Sequence, residues 1–328
     1  MPNDPGLAND TCIFIEAVTG DNGTHTTKGV WWLSPDIELT GPVSGADTAD
    51  AGQVNPVQVR FHRKSASSNC QFPGDESVTV QLWVGNPSLL MVPGVKGSTR
   101  RVGFIGSPLP AEGDTGVQQI DWTPPVGLSA NDPQSAGQKC LVARCYPESG
   151  SPNAQNFFLP GDQHVAQHNL CLISTTAKQI TFTVNTVNPA VSLNPLLPTE
   201  VTEVKLRAIL DLFPNSFVRQ TVLQRLQSVN GFQRLRKAAL PGGFAFDLGG
   251  LQAFQIINHS TEGVTPPLHT PLPFFEARVA LRTRVVVKLT FNASLQGVSA
   301  GDACIFHLLQ SNISDVPQGG LTLVVLKL

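Results

Sequence analysis

The sequence predicts a mostly β protein of two β-sandwich domains, the second of which carries a pair of helices. Short stretches of alternating apolar and polar residues recur along the chain, which is the period of half-buried strands. The 328 residues include 29 glycines and 26 prolines, which separate such stretches with turns. One segment, residues 199–240, instead has helical spacing. We therefore expect one domain over residues 1–190 and a second over residues 191–328.

The strands of the first domain follow from this alternation. In Asn55–Lys64, the apolar Val57, Val59 and Phe61 alternate with polar residues, and the segment 76–85 repeats the pattern. Similar runs predict strands within residues 12–18, 30–39, 117–122, 140–145 and 164–173.

Two adjacent tryptophans, Trp31 and Trp32, lie in one of these predicted strands. Neighbouring side chains of a strand point to opposite faces, so both cannot enter one core. We expect Trp32 to pack inside the sandwich, and Trp31 to be covered by the second domain, by a loop or by a ligand.

The second domain begins with a change of pattern. Residues 179–187 alternate once more, and the helical segment 199–240 follows, with apolar residues at helical spacing and prolines at its boundaries. Strands are then predicted at residues 253–258, 276–291, 303–310 and 320–326.

Several motifs of the first half stand in the order of a known family. They are Trp32–Ile37 (WLSPDI), Asn55–Arg60 (NPVQVR), Val78–Trp83, Asp121–Pro125 (DWTPP), Cys140–Arg144 and Ala166–Asn169. Over about residues 10–175 the chain resembles the CARDB-like immunoglobulin-like domains common in bacterial proteins. That resemblance implies an immunoglobulin-like β-sandwich that acts as an accessory or adhesive module.

A second resemblance rests on the overall layout and on two motifs near the C-terminus. Ile305–His307 (IFH) and Gly320–Thr322 (GLT) are similar to motifs in the peptide-binding accessory proteins of ribosomal-peptide biosynthesis, of the crocagin type. This resemblance implies a precursor peptide as the partner.

Basic residues are the strongest hint of a binding surface. One face of the predicted strand 276–291 would carry four cations, and the segment 199–240 has seven basic residues against three acidic ones, in a chain of formal net charge −2. The predicted ligand-binding residues are Arg278, Arg282, Arg284, Lys288, Arg234, Arg236 and Trp31. They favour a peptide or protein segment, possibly acidic, in a cleft between the domains or along an open sheet edge. A solvated face whose arginines pair with acids elsewhere is the alternative.

Several function classes are disfavoured. The chain has no HExxH, P-loop or Gly-x-Ser-x-Gly motif, and His164 and His168 lack further ligands at suitable spacing, so we predict neither a metal nor a cofactor. The net charge disfavours a nucleic-acid partner, and the absence of a long apolar run disfavours a membrane span. Since the N-terminus lacks a signal-peptide pattern, we expect reduced cysteines and a cytoplasmic location.

Three functional hypotheses remain open. The leading one is a non-catalytic protein that binds a peptide or protein segment, possibly a precursor peptide in natural-product biosynthesis. A second is a secreted or surface carbohydrate-binding or adhesive module, with exposed aromatics such as Trp31 and Trp83 stacking on sugars. Oxidised cysteines would favour this module, and free thiols the biosynthetic protein. A third is an uncharacterised enzyme, which needs a buried pair of titratable groups in a cleft.

Overall fold

The computed structural model describes residues 4–24, 31–89, 91, 99–152, 161–174, 177–185, 203–213, 244–247, 275–280, 284–291, 300, 303–312 and 317–327. The chain divides into two compact units. The first comprises Met1–Asn86, Met91–Asn169 and Pro189–Leu197, and the second Pro87–Leu90, Leu170–Asn188 and Pro198–Leu328. The domain boundary at residue 190 stays a prediction.

The first unit is built from short strands. These are β1 (Ile13–Phe14), β2 (Ile37–Gly41), β3 (Gly45–Ala46), β4 (Thr48–Ala49), β5 (Asn55–Arg63), β6 (Ser77–Gly85), β7 (Thr99–Pro108), β8 (Thr115–Trp122), β9 (Gly137–Gln138), β10 (Cys140–Pro147) and β11 (Val165–Ser174), which belongs to this unit through Asn169. In the described residues the helices are two 3₁₀ turns, Pro5–Leu7 and Ala66–Ser68.

Two antiparallel sheets enclose the core of this unit. In one sheet β5 pairs with β1, β2 and β8, and β2 pairs with β3. In the other the order is β7, β6, β10 and the first half of β11. Alternate residues of β5, β6 and β10 meet in one buried cluster that includes Val59, Phe61, Leu82 and Ala143. The predicted β-sandwich is therefore confirmed, since each strand buries one face against the opposite sheet.

The second unit is also made of strands. It contains the rest of β11, β12 (Gln179–Asn185), β13 (Glu203–Phe213), β14 (Phe244–Asp247), β15 (Phe275–Ala280), β16 (Arg284–Phe291), β17 (Ala303–Asn312) and β18 (Pro317–Leu326). One sheet has the order β15, β13, β17, β18 and the end of β11, which runs parallel to β18. A second has the order β12, β16, β14. The described part of this unit is thus mostly β, as predicted.

The first of the two predicted helices is wrong. Residues 203–213 form β13, which pairs with β15 on one side and β17 on the other. Its sequence, EVKLRAILDLF, is compatible with the period of a helix and with that of a strand. Backbone hydrogen bonds to a neighbouring strand on each side stabilise the strand. The rest of the predicted helical segment, with Arg234 and Arg236, lies outside the described residues.

Candidate functional site

The two adjacent tryptophans do not lie in a strand. Trp31 and Trp32 occupy a turn, with 3% and 0% of their surfaces exposed. Their rings meet edge to face, with centroids 5.8 Å apart. The turn lets both tryptophan side chains enter the protein interior, so the expectation that only one of them could do so is wrong. Trp83 is buried as well, and neither Trp31 nor Trp83 offers an exposed ring to a sugar.

The predicted basic strand face is divided in the structure. Arg278 lies in β15 and is paired with Lys205 of β13, whereas Arg284 and Lys288 lie in β16, between β12 and β14. Arg282 lies outside the described residues. The single strand 276–291 that would align the four charges is therefore wrong, and the ligand-binding role of these residues stays a prediction.

His164 lies at the centre of a buried ionic cluster. Its Nδ1 lies 2.8 Å from Asp162 Oδ1 and its Nε2 3.1 Å from Asp10 Oδ2, with all three side chains at 3% exposure or less. Burial favours the neutral imidazole, but hydrogen bonds to Asp10 and Asp162 and their charges raise the pKa of His164 to about 9. Because no substrate reaches a fully buried imidazole, this triad-like arrangement stabilises the fold and is not an active site.

His168 has separate partners. Its Nδ1 lies 2.9 Å from the Ser34 carbonyl and its Nε2 3.0 Å from Asp47 Oδ1. Burial lowers the pKa of His168, but the charge of Asp47 and the hydrogen bonds to Asp47 and Ser34 together outweigh burial and leave the pKa raised. The two histidines, four residues apart in sequence, thus hold different parts of the first unit together.

Arg144 of β10 extends the buried cluster of His164, because its partner Asp4 donates a backbone hydrogen bond to Asp162 Oδ2 at 3.4 Å. Its Nε and Nη2 donate to Gln81 Oε1 at 3.1 and 2.8 Å, and its Nη1 lies 3.7 Å from Asp4 Oδ2. The guanidinium also stacks between Trp83 and Tyr146, 5.3 and 5.6 Å from their ring centres. This network accounts for the burial of Trp83.

Strand β7 is an open sheet edge. Among the described residues it pairs with β6 alone, as β8 pairs with β5 alone. Phe104 is 66% exposed and its neighbour Ile105 36%. Since adjacent side chains leave opposite faces of a strand, both faces of β7 are accessible to solvent at these two positions, although Val102 packs against the core. This strand was not predicted, because its segment TRRVGFIGSP lacks the alternation on which the other strands depend.

Two arginines accompany the exposed apolar side chains of β7. Arg100 and Arg101 are both exposed, and the Arg101 guanidinium lies 5.7 Å from the Phe104 ring centre. In the described part of the chain neither has a carboxylate at ion-pair distance, whereas Arg60 and Arg63 pair with glutamates. The edge therefore combines unpaired backbone groups, apolar surface and two available positive charges.

Glu16, Asp36 and His62 form a second cluster, partly open to solvent. Their ligand atoms all lie within 4.8 Å of one another, and His62 Nε2 is 2.9 Å from Asp36 Oδ2. Burial and the Asp36 charge raise the pKa of Glu16. Burial lowers the pKa of His62, but its hydrogen bond to Asp36 and the charges of Asp36, Glu16 and Asp21 together outweigh burial and leave the pKa raised. These residues are the metal-ligand candidates of the described chain, missed in sequence because they are 20 and 26 residues apart.

Comparisons with known proteins assign no family. No family model matches the sequence, and no curated protein matches it. Similar solved structures include the CupB6 tip adhesin from Pseudomonas aeruginosa (10% identity, 85% of this chain and 93% of that chain, TM-score 0.17). Two others are the collagen adhesin of S. aureus (7%, 88% and 93%, 0.17) and the B domain of a biofilm associated protein (4%, 88% and 84%, 0.19).

The expectation of a cytoplasmic location is wrong. The observation that contradicts it lies in the chain itself, where Cys12 and Cys70 form a disulfide. Disulfides persist in oxidising compartments, while cytosolic reductants keep thiols reduced. The expectation of reduced cysteines is thus wrong for this pair, whereas Cys140, Cys145 and Cys171 are free and buried. In the described residues, no helix has the length and apolarity to cross a membrane.

Proposed function

We propose that this protein is a non-catalytic adhesive module outside the cytoplasm, which captures an extended, acidic segment of another protein along the free edge of β7. The open edge, with its exposed phenylalanine and two exposed arginines, is the observation that carries the proposal. The ligand would add a strand beside β7, a mode in which backbone hydrogen bonds supply affinity and side-chain contacts supply specificity.

The geometry of β7 suits such an addition. Residues 103–108 run in regular register with residues 77–82 of β6, and a register shift leaves Val102 without a partner. A bulge of this kind twists an edge and limits pairing between copies of the same sheet. The regular half beyond the bulge is therefore the part that would accept a foreign strand, and Phe104 and Ile105 lie within it.

The charge of the edge specifies the ligand. Arg101 lies on the same face of β7 as Phe104 and would pair with carboxylates on that face of the incoming strand, while Ile105 would contact apolar side chains on its opposite face. The favoured ligand is thus an extended protein segment in which apolar residues alternate with aspartate or glutamate.

The redox state of the cysteines favours an adhesive module over a precursor-peptide-binding protein of natural-product biosynthesis. Free thiols would favour a precursor-peptide partner and oxidised cysteines an adhesive module, and Cys12 and Cys70 are oxidised. A sugar ligand is disfavoured because Trp31 and Trp83 are buried.

The proposal is tested with a blocked ten-residue peptide of alternating valine and aspartate, and with a valine–lysine peptide as the charge control. We expect calorimetric titration to detect the acidic peptide, with affinity at least about tenfold lower in Arg101→Glu and Phe104→Ala. The matched control is Val43→Ala, which changes an exposed valine in the β2–β3 turn and should leave affinity unchanged. Hydrogen exchange should show new protection of amides within residues 103–108.

Two results would contradict the edge assignment. One is that the acidic and basic peptides bind equally well, or that neither binds. The other is binding with protection confined to residues outside β7, which would move the site to another part of the chain.

A further inference from the structure

We propose that Glu16, Asp36 and His62 bind a divalent transition-metal ion, for which Zn²⁺ is the best-fitting candidate. This site is independent of the β7 edge. It lies where the segment after β1 meets the start of β2 and the end of β5.

The spacing of the three side chains fits one ion. Zn²⁺ holds nitrogen and oxygen ligands at about 2.0 to 2.2 Å in a tetrahedron, so its ligand atoms are about 3.4 Å apart. His62 Nε2 and Asp36 Oδ2 are 2.9 Å apart, so they would move apart by about 0.5 Å to hold the ion. All three ligand atoms lie within 4.8 Å of one another, so small rotations of the Glu16 side chain bring the set around a single ion.

The imidazole of His62 is oriented as a metal ligand. Its Nδ1 lies 2.9 Å from Thr115 Oγ1, so the hydroxyl can accept the Nδ1 proton and leave the Nε2 lone pair toward the two carboxylates. Metal-binding histidines use their second nitrogen in this way, since the outer hydrogen bond fixes tautomer and ring. Phe14 stacks on the same ring, with centroids 5.0 Å apart. In the ion-free protein Nε2 can instead donate to Asp36 Oδ2, and a bound ion would take the place of that proton.

Hydrogen bonds hold the Asp36 carboxylate and the Glu16 main chain in position before any ion binds. The Glu16 amide donates to Asp36 Oδ2 at 2.7 Å, and Ser34 Oγ donates to the Glu16 carbonyl at 2.5 Å. Asp36 is buried, whereas Glu16 and His62 are partly exposed. An ion can therefore enter from solvent and keep water in its remaining positions.

The donor set selects the class of ion. One imidazole nitrogen with two carboxylates favours Zn²⁺ and related first-row ions, while Ca²⁺ and Mg²⁺ prefer sites made of oxygen alone.

The test is calorimetric titration of chelator-washed protein with Zn²⁺, and with Ca²⁺ and Mg²⁺ for comparison. We expect one Zn²⁺ per chain. Glu16→Gln and His62→Gln should weaken binding at least about a hundredfold, and Thr115→Val about tenfold through the lost outer hydrogen bond. Co²⁺ should bind with visible absorption that is lost in His62→Gln, which reports the nitrogen ligand directly.

Glu38→Gln is the matched control. Glu38 lies two residues from Asp36 but pairs with Arg60 on the surface, so its removal should change Zn²⁺ affinity less than twofold. Absence of Zn²⁺ binding by the wild type, preference for Ca²⁺ or Mg²⁺, or equal Zn²⁺ affinity in Glu16→Gln and Glu38→Gln would each overturn the assignment.

Discussion

Raising the pH from 6 to 9 is expected to destabilise the first unit by about 3 kcal/mol through one residue, His164. The pKa of this imidazole is about 9 in the folded protein and about 6.5 when unfolded. A raised folded-state pKa means that the native state holds its proton more tightly. The stabilisation is therefore complete below pH 6.5 and is lost as the pH rises through 9.

The magnitude follows from this difference of about 2.5 pKa units at about 1.36 kcal/mol each. No discount for solvent screening is needed, because the side chains of His164, Asp10 and Asp162 are almost completely buried. His62 and His168 add smaller contributions of the same sign, since their pKa values are also raised.

Urea unfolding followed by tryptophan fluorescence measures the effect, because all four tryptophans lie in the first unit. In His164→Gln the stability should be lower at pH 6 and its decline toward pH 9 shallower by about 3 kcal/mol than in the wild type. An NMR titration of the His164 Cε1 proton in the wild type needs no variant. A midpoint at or below 6.5 would refute the reasoning.

Three further outcomes are expected. Replacing both Cys12 and Cys70 with serine should cost about 4 kcal/mol in urea unfolding, since the bond closes a loop of 58 residues; a loss under about 1 kcal/mol would contradict this. Burial lowers the pKa of His307 to about 4, so acidification from pH 6.5 toward 4 should weaken protection of β17 amides in hydrogen exchange corrected for intrinsic rates; unchanged protection would argue against it. Gly116→Ala would drive its Cβ into a phenylalanine ring of the core, whereas Gly106→Ala meets open space; the first should lower the free energy of unfolding by about 1–3 kcal/mol, and equal stability of the two variants would count against the packing.

Alternation predicted the strands whose two faces differ in environment. Val57, Val59 and Phe61 of β5 are fully buried, because a sandwich strand turns every second residue toward the opposite sheet. The same reasoning missed β7, where Phe104 and Ile105 are exposed on successive positions. An edge that is open on both faces has no period to detect, so the candidate binding surface was hidden from sequence reasoning.

The candidate metal site was hidden for a different reason. The alternation of β5 predicted an outward-facing His62, but the neighbouring sequence does not indicate that Glu16 and Asp36 are its partners. Strand pairing brings the three together across 20 and 26 residues. Side-chain chemistry can be read locally, whereas the meeting of distant side chains depends on register and turns.

The sequence by itself determined that this chain is mostly β and which residues of the first sandwich face its core, since burial of one strand face imposes a local period of two. The tertiary structure alone decided that residues 203–213 form a strand, that Cys12 meets Cys70 and that Trp31 is buried beside Trp32. Each of these depends on contacts between segments distant in sequence or on a turn that breaks the period. Such contacts stabilise the protein only after the chain has folded, so the local sequence pattern does not reveal them and can predict the wrong element.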